Sequence, residues 1–148
     1  MTASSMYFLD VNICIHAMRP HVTPRGAEVR DWLLSRLSGS ENVGISEFVL
    51  ASMTRIVTQH RIYTDPATPQ ECMDFSDRLM DAPAAITVRP GPRHWPIFRE
   101  LVTAHRLRGN DVADAYLASL AMEHGASMVT LDRGFTRFEG LRTVDPLA

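Results

Sequence analysis

The chain has 148 residues, a length typical of one domain with a single core. Its residues are 45% hydrophobic and 22% charged, which excludes a disordered chain and a membrane-embedded one. All 15 basic side chains are arginine, which excludes P-loop and Schiff-base sites because both need a lysine; the net charge of −2 argues against a protein that coats nucleic acid by bulk charge.

Hydrophobic spacing and turn residues predict strands that alternate with helices. In chain order we predict a strand over residues 7–9, a helix over 13–18, a helix over 27–37, a strand over 43–45, a helix over 47–57, a helix over 69–80, a strand over 86–88, a helix over 95–107, a helix over 111–124, a strand over 127–131 and a strand over 141–144. This alternation indicates an α/β fold with a mainly parallel sheet and helices on both faces. No linker or repeat divides the chain, so we predict a polar lead over residues 1–5 and one domain over residues 6–148.

Several helix starts are predicted from capping residues. Asn12 is placed to cap the first helix, and Ser46 is placed to cap the helix that follows the second strand. The Thr68-Pro69-Gln70-Glu71 run has the pattern of a capping box.

The sequence also predicts where the protein resides. Cys14 and Cys72 fit no metal-ligand spacing, and Cys14 lies among apolar neighbours that indicate a buried thiol. No signal peptide or membrane-length apolar run is present, so we expect a cytoplasmic protein that does not associate with membranes.

Acidic residues follow the predicted strands. Asp10 and Asp132 come directly after strands, and Asp111 and Asp114 share one face at the start of a helix. Glu47 follows the second strand. Because the carboxyl ends of parallel strands meet at one edge, these acids are expected to converge there. Converging carboxylates repel one another unless a hard cation such as Mg²⁺ or Mn²⁺ binds between them, and such a site suits hydrolysis of phosphodiesters.

Each acid also has a purely structural interpretation. Asp111 is favoured as an N-cap, and Asp132 before Arg133-Gly134 fits a turn. Glu47 fits a helix start as well as it fits a ligand. Asp114 precedes an apolar stretch where an acid is costly unless it serves a ligand, and Asp10 lies between two apolar runs.

Three segments resemble the motifs of PIN-domain ribonucleases, and more closely those of the VapC toxins of bacterial toxin–antitoxin modules. The segments are FLDVN at residues 8–12, GNDVADAYLA at residues 109–118 and VTLDRGF at residues 129–135. The resemblance extends over essentially the whole chain from Met6. It implies a three-layer α/β/α domain that uses Mg²⁺ or Mn²⁺ to cut RNA, a cognate antitoxin partner and a homodimer.

The resemblance also implies roles for individual residues. Asp10 matches the first family acid, Asp114 the third and Asp132 the fourth, with Thr130 as the hydroxyl beside it and Asn12 supporting the first motif.

The second family acid is where this chain departs from the pattern. Many members have a glutamate where this chain has Ser52, and Glu47, one turn earlier, is the acid that would substitute for it. The incomplete set leaves an alternative, a PIN-like module that binds RNA or a protein without cutting. A phospho-accepting receiver domain also clusters acids on Mg²⁺, but it relies on a lysine that this chain lacks.

Overall fold

The computed structural model describes residues 6–148; the polar lead predicted for residues 1–5 lies outside them. In chain order the elements are β1 (Met6–Leu9), α1 (Val11–Met18), α2 (Gly26–Leu37), β2 (Asn42–Ile45), α3 (Glu47–Val57), α4 (Pro69–Met80), β3 (Ala85–Thr87), α5 (His94–Ala104), α6 (Asn110–Glu123), β4 (Ser127–Val129), a 3₁₀ helix (Arg133–Arg137) and β5 (Thr143–Val144). None of the helices within residues 6–148 is both long and apolar enough to cross a bilayer.

The five strands form one parallel sheet in the order β3-β2-β1-β4-β5. The first strand is central: Tyr7 is paired with Val43 of β2 on one side and with Ser127 of β4 on the other. Helices cover both faces, so the predicted three-layer α/β/α class is confirmed. Since every strand runs the same way, the residues that follow the strands emerge at a common edge.

The core explains why β1 holds its place. Phe8 and Leu9 are completely buried, and Met128 and Val129 of the neighbouring strand are buried with them. Strands that are covered on both faces are continuous apolar runs rather than alternating ones, which is what β1 and β4 show. The buried carboxyl-terminal parts of β1 and β4 therefore support the residues that follow these strands.

Two of the predicted capping sites are confirmed. The Ser46 side chain accepts a hydrogen bond from the backbone N–H of Phe48 at the start of α3. At α4, Thr68 and Glu71 form the reciprocal capping box, with bonds of 3.1 and 3.0 Å. Cys14 is buried, also as predicted, and burial raises the pKa of its thiol to about 12.

The N-cap predicted at Asn12 is wrong. Asp10 caps α1 instead, since its backbone is extended and its side chain accepts the N–H of Val11. The helix therefore begins two residues before the predicted start. As a consequence, the acid at the end of β1 is bound directly to the first turn of a helix.

The N-cap favoured for Asp111 is also wrong. Gly109, with a φ of +57° that glycine adopts at little cost, makes the turn into α6, and no side-chain hydrogen bond caps this helix. The helix starts at Asn110, which places Asp111 inside its first turn. Its carboxylate is thereby free of any capping role.

Candidate active site

Asp10 lies at the junction of β1, β4 and α1. Its backbone N–H donates to the carbonyl of Val129 at 3.0 Å. Its Oδ1 accepts the N–H of Val11 at 2.7 Å, and its Oδ2 accepts the hydroxyl of Thr130 at 2.6 Å. Only 5% of the residue is exposed. Asp10 is therefore a buried carboxylate that is fixed in one orientation by bonds to two elements.

The pKa of Asp10 is raised to about 6. Burial is the largest cause, because it disfavours the charged form of a carboxyl group. The hydrogen bonds from Thr130 and Val11 oppose this shift, whereas the nearby charges of Asp114 and Asp132 add to it. The three aspartates that follow or face the central strands therefore repel one another.

Thr130 links the first and last sequence motifs. Its hydroxyl donates to Asp10 and accepts the backbone N–H of Asp132 at 3.0 Å. The amide of Asn12 donates to the same hydroxyl at 3.4 Å and accepts the N–H of Leu131 at 3.4 Å. Asn12 thus holds the end of β4 against α1, which explains how it supports the first motif without being a helix cap.

Asp132 begins the 3₁₀ helix that follows β4. Its Oδ1 accepts the backbone N–H of Gly134 at 2.8 Å, so the residue does act in a turn. The charge of Asp132 nevertheless raises the pKa of both Asp10 and Asp114. The turn bond therefore leaves the charge of Asp132 able to act on the other two aspartates.

Asp114 reaches the site from α6. Its Oδ2 accepts a hydrogen bond from the guanidinium of Arg137 at 3.3 Å, and the same guanidinium lies 3.6 Å from Oδ1 of Asp111. Burial raises the pKa of Asp114, and the hydrogen bond and charge of Arg137 counteract that rise. Asp111 is the more exposed partner of that arginine, and its charge also raises the pKa of Asp114.

Glu47 is not brought into this group. It begins α3, and its carboxylate lies 3.7 Å from the guanidinium of Arg89 in the loop after β3. Both side chains are exposed, by 61% and 69% respectively. Ion pairs as exposed as this one contribute little to stability. Along the sheet edge, Glu47 therefore faces the β3 side, while the three aspartates lie on the β1 and β4 side.

The aspartates affect one another's charge without forming a closed cage. Within residues 6–148, no three acidic, histidine or cysteine side chains are grouped tightly enough to surround a metal ion.

The structure also reveals a residue that sequence reasoning missed, Arg137, whose guanidinium lies beside Asp114. In the sequence Arg137 is merely an arginine five residues after Asp132. The 3₁₀ helix over residues 133–137 is what brings its guanidinium to Asp114.

Comparisons with known proteins identify the family. The model of the PIN domain matches residues 7–141. Ribonuclease VapC43 of Mycobacterium tuberculosis (strain ATCC 25618 / H37Rv) is 42% identical over 147 residues, which cover 96% of each chain.

Solved structures show the same fold. VapBC2 from Rickettsia felis, bound to a DNA fragment from its promoter, has a chain that matches with a TM-score of 0.67 and 21% identity, covering 94% of this chain and 97% of that one. VapBC-1 from nontypeable Haemophilus influenzae matches with a TM-score of 0.69 and 16% identity, covering 97% and 99%. On the family model and the full-length 42% identity, the chain belongs to the PIN-domain family and, within it, to the VapC ribonucleases.

Proposed function

We propose that this protein is a Mg²⁺- or Mn²⁺-dependent endoribonuclease, the toxin of a toxin–antitoxin pair. It hydrolyses phosphodiester bonds of RNA in the cytoplasm and thereby inhibits translation or growth. The observation that carries the proposal is Asp10, a buried carboxylate whose pKa is raised to about 6 by burial and by the charges of Asp114 and Asp132. Burial and repulsion of these carboxylates destabilise the fold, and a bound cation reduces the repulsion between them.

The donor chemistry fits a hard divalent cation. Asp10, Asp114 and Asp132 offer carboxylate oxygens, which Mg²⁺ and Mn²⁺ prefer over nitrogen or sulfur ligands. Each oxygen of Asp10 accepts one hydrogen bond and keeps a lone pair for a cation. When bound, the ion would activate water for attack on phosphorus and stabilise the leaving oxygen.

The chain's own residues would fix the geometry of that reaction. Thr130 and the N–H of Val11 hold both oxygens of Asp10, so this ligand needs no reorientation. Asn12 keeps the end of β4, and with it Asp132, against α1. Positioning of this kind contributes to catalysis because the reacting groups are ordered before substrate binds.

A cognate antitoxin is the second element of the proposal. The solved structures that share this fold include VapBC assemblies from Rickettsia felis and Haemophilus influenzae. We propose that this chain also assembles with a small antitoxin protein, and that this partner inhibits it.

A homodimer is the third element. Phe48, Tyr116, Phe98 and Trp95 form a continuous aromatic patch, with neighbouring ring centroids 4.9, 5.9 and 5.4 Å apart. Trp95 is 65% exposed and Phe48 is 42% exposed. Exposed aromatic surface of this kind favours association. We propose that a second copy of the chain covers the aromatic patch.

The first prediction concerns cleavage. Asp10→Asn and Asp114→Asn each reduce cleavage of total cellular RNA by more than about 100-fold, since loss of a ligand exceeds the 10–100-fold cost of losing its outer partners. Cleavage by the antitoxin-free protein is measured by mapping new RNA ends with Mg²⁺ and with EDTA. Asp31→Asn, an exposed acid of α2, is the matched control and keeps full activity.

Full activity of either variant, or wild-type cleavage that EDTA does not reduce, would contradict the assignment. Binding of RNA without any cleavage by the wild-type protein would support the alternative of a non-cutting module.

The second prediction concerns Glu47. Because its carboxylate lies beside Arg89 and away from the aspartates, Glu47→Gln keeps RNA cleavage and Mn²⁺ affinity within about threefold of wild type, the scale of an exposed ion pair. Both are measured in parallel with Asp114→Asn. A loss as large as that of Asp114→Asn would place Glu47 among the acids that bind the metal.

The third prediction follows from the pKa of Asp10. A carboxyl group whose pKa is about 6 when folded and 3.8 when unfolded binds its proton more tightly in the native state. Its contribution to stability is full below pH 3.8 and is lost as the pH rises through 6. In EDTA, the free energy of unfolding of the wild type relative to Asp10→Asn therefore falls by about 1–2 kcal/mol between pH 5 and pH 7.5.

Urea unfolding of both proteins at the two pH values measures this difference. Addition of Mn²⁺ should stabilise the wild type more at pH 7.5 than at pH 5, because the metal competes with the proton. A wild type that gains stability relative to Asp10→Asn as the pH rises in EDTA would contradict the buried, proton-binding state.

The fourth prediction concerns assembly. Trp95→Glu places a charge in the aromatic patch and converts the dimer to a monomer at micromolar concentration, as measured by sedimentation equilibrium. Leu34→Glu, which alters an exposed apolar residue of α2, is the matched control and leaves the dimer intact. A monomeric wild type, or a dimer that survives Trp95→Glu, would contradict the proposed interface.

A further inference from the structure

The 3₁₀ helix Arg133–Arg137 contacts two of the three aspartates through different groups. The backbone N–H of Gly134 donates to Oδ1 of Asp132 at 2.8 Å. The guanidinium of Arg137 donates to Oδ2 of Asp114 at 3.3 Å. One short segment therefore connects the acid that follows β4 with the acid on α6.

Arg137 is held rigidly by its own segment. One of its nitrogens donates to the carbonyl of Gly134, and its guanidinium lies over the ring of Phe138, 4.4 Å from the centroid. Phe138 itself is buried in the core. A free arginine side chain would lose considerable rotamer entropy on binding a carboxylate, but this one is already ordered.

Gly134 lies between the two contacts. A Cβ at this position would be 2.8 Å from a guanidinium nitrogen of Arg137 and 3.0 Å from Oδ1 of Asp132. Any larger residue would have to displace one or both of these groups. The glycine therefore permits the N–H bond to Asp132 and the carbonyl bond to Arg137 to exist together.

We propose that Gly134 and Arg137 are positioning residues, which orient the carboxylates of Asp132 and Asp114 for a divalent cation. The inference rests on the proposed metal site. Arg137 acts through Asp114: it binds one carboxylate oxygen and leaves the other for the ion. Carboxylates that bind metals are in turn hydrogen-bonded, and loss of such an outer partner costs about 10–100-fold in metal affinity or activity.

A role in positioning and a role as a mere charge predict opposite results. If the guanidinium only added positive charge beside the acids, its removal would strengthen the binding of a cation. If it orients Asp114, its removal weakens binding although a repelling charge has gone. The direction of the change in metal affinity therefore distinguishes the two roles without any measurement of activity.

The test is an isothermal titration calorimetry experiment in which Mn²⁺ alone is titrated into the full chain. We expect Arg137→Met to weaken Mn²⁺ binding by about 10–100-fold and Gly134→Ala to weaken it in the same direction. Thr136→Ala is the matched control in the same segment, since among residues 6–148 its hydroxyl bonds only the carbonyl of Arg133. Arg99→Met controls for the loss of one exposed arginine. Both controls keep wild-type affinity.

Thermal unfolding identifies any variant that fails to fold. If Gly134→Ala does not fold, Arg137→Met still tests the inference, because methionine keeps an aliphatic side chain over Phe138. Unchanged or tighter Mn²⁺ binding by folded Arg137→Met would overturn the inference while leaving the proposed function intact. A wild type that binds no Mn²⁺ would overturn the proposed metal site, and the inference with it.

Discussion

The hydrogen bond from the hydroxyl of Thr130 to Oδ2 of Asp10 joins the ends of β1 and β4, and the arrangement of the site depends on it. Both strands are buried and parallel, so their carboxyl ends are held at fixed separation. The same hydroxyl accepts from Asn12 and from the backbone of Asp132. A single side chain thus links residues that are about 120 positions apart in the sequence, and through it the core determines where two carboxylates lie.

The second constraint is electrostatic. Burial and two neighbouring aspartates make the ionised form of Asp10 unfavourable, whereas Arg137 partly offsets the same effect at Asp114. Without the charges of Asp10, Asp114 and Asp132, the formal net charge of −2 becomes +1. The three aspartates of the proposed metal site therefore decide the sign of the net charge. The absence of a net positive charge on the whole chain does not argue against an RNA substrate, because every basic side chain is an arginine, which suits phosphate.

The position of Asp10 could be predicted from sequence because it directly follows an apolar run, and a parallel sheet gathers such positions at one edge. The predicted end of β4 at residue 131 is wrong, since the strand ends at Val129 and Asp132 follows it by three residues. Ser46 and Thr68 could be predicted as caps because capping is a local interaction. Asn12 and Asp111 were wrong as caps because Asp10 and Gly109 start their helices earlier. Arg137 could not be found from sequence, since its contact with Asp114 spans 23 residues and depends on how the 3₁₀ helix packs beside α6. Glu47 shows the same limit: its place beside Arg89 is a tertiary contact.

The central claim is that Asp10, Asp114 and Asp132 hold one divalent site at the carboxyl edge of the sheet. The most direct measurement is anomalous scattering from a crystal of the full chain soaked in Mn²⁺, which locates the ion without reference to activity. The account predicts an anomalous peak bonded to carboxylate oxygens of Asp10 and Asp114, with the hydroxyl of Thr130 still donating to Asp10. A peak beside Glu47 and Arg89, or no peak near Asp10, would contradict it.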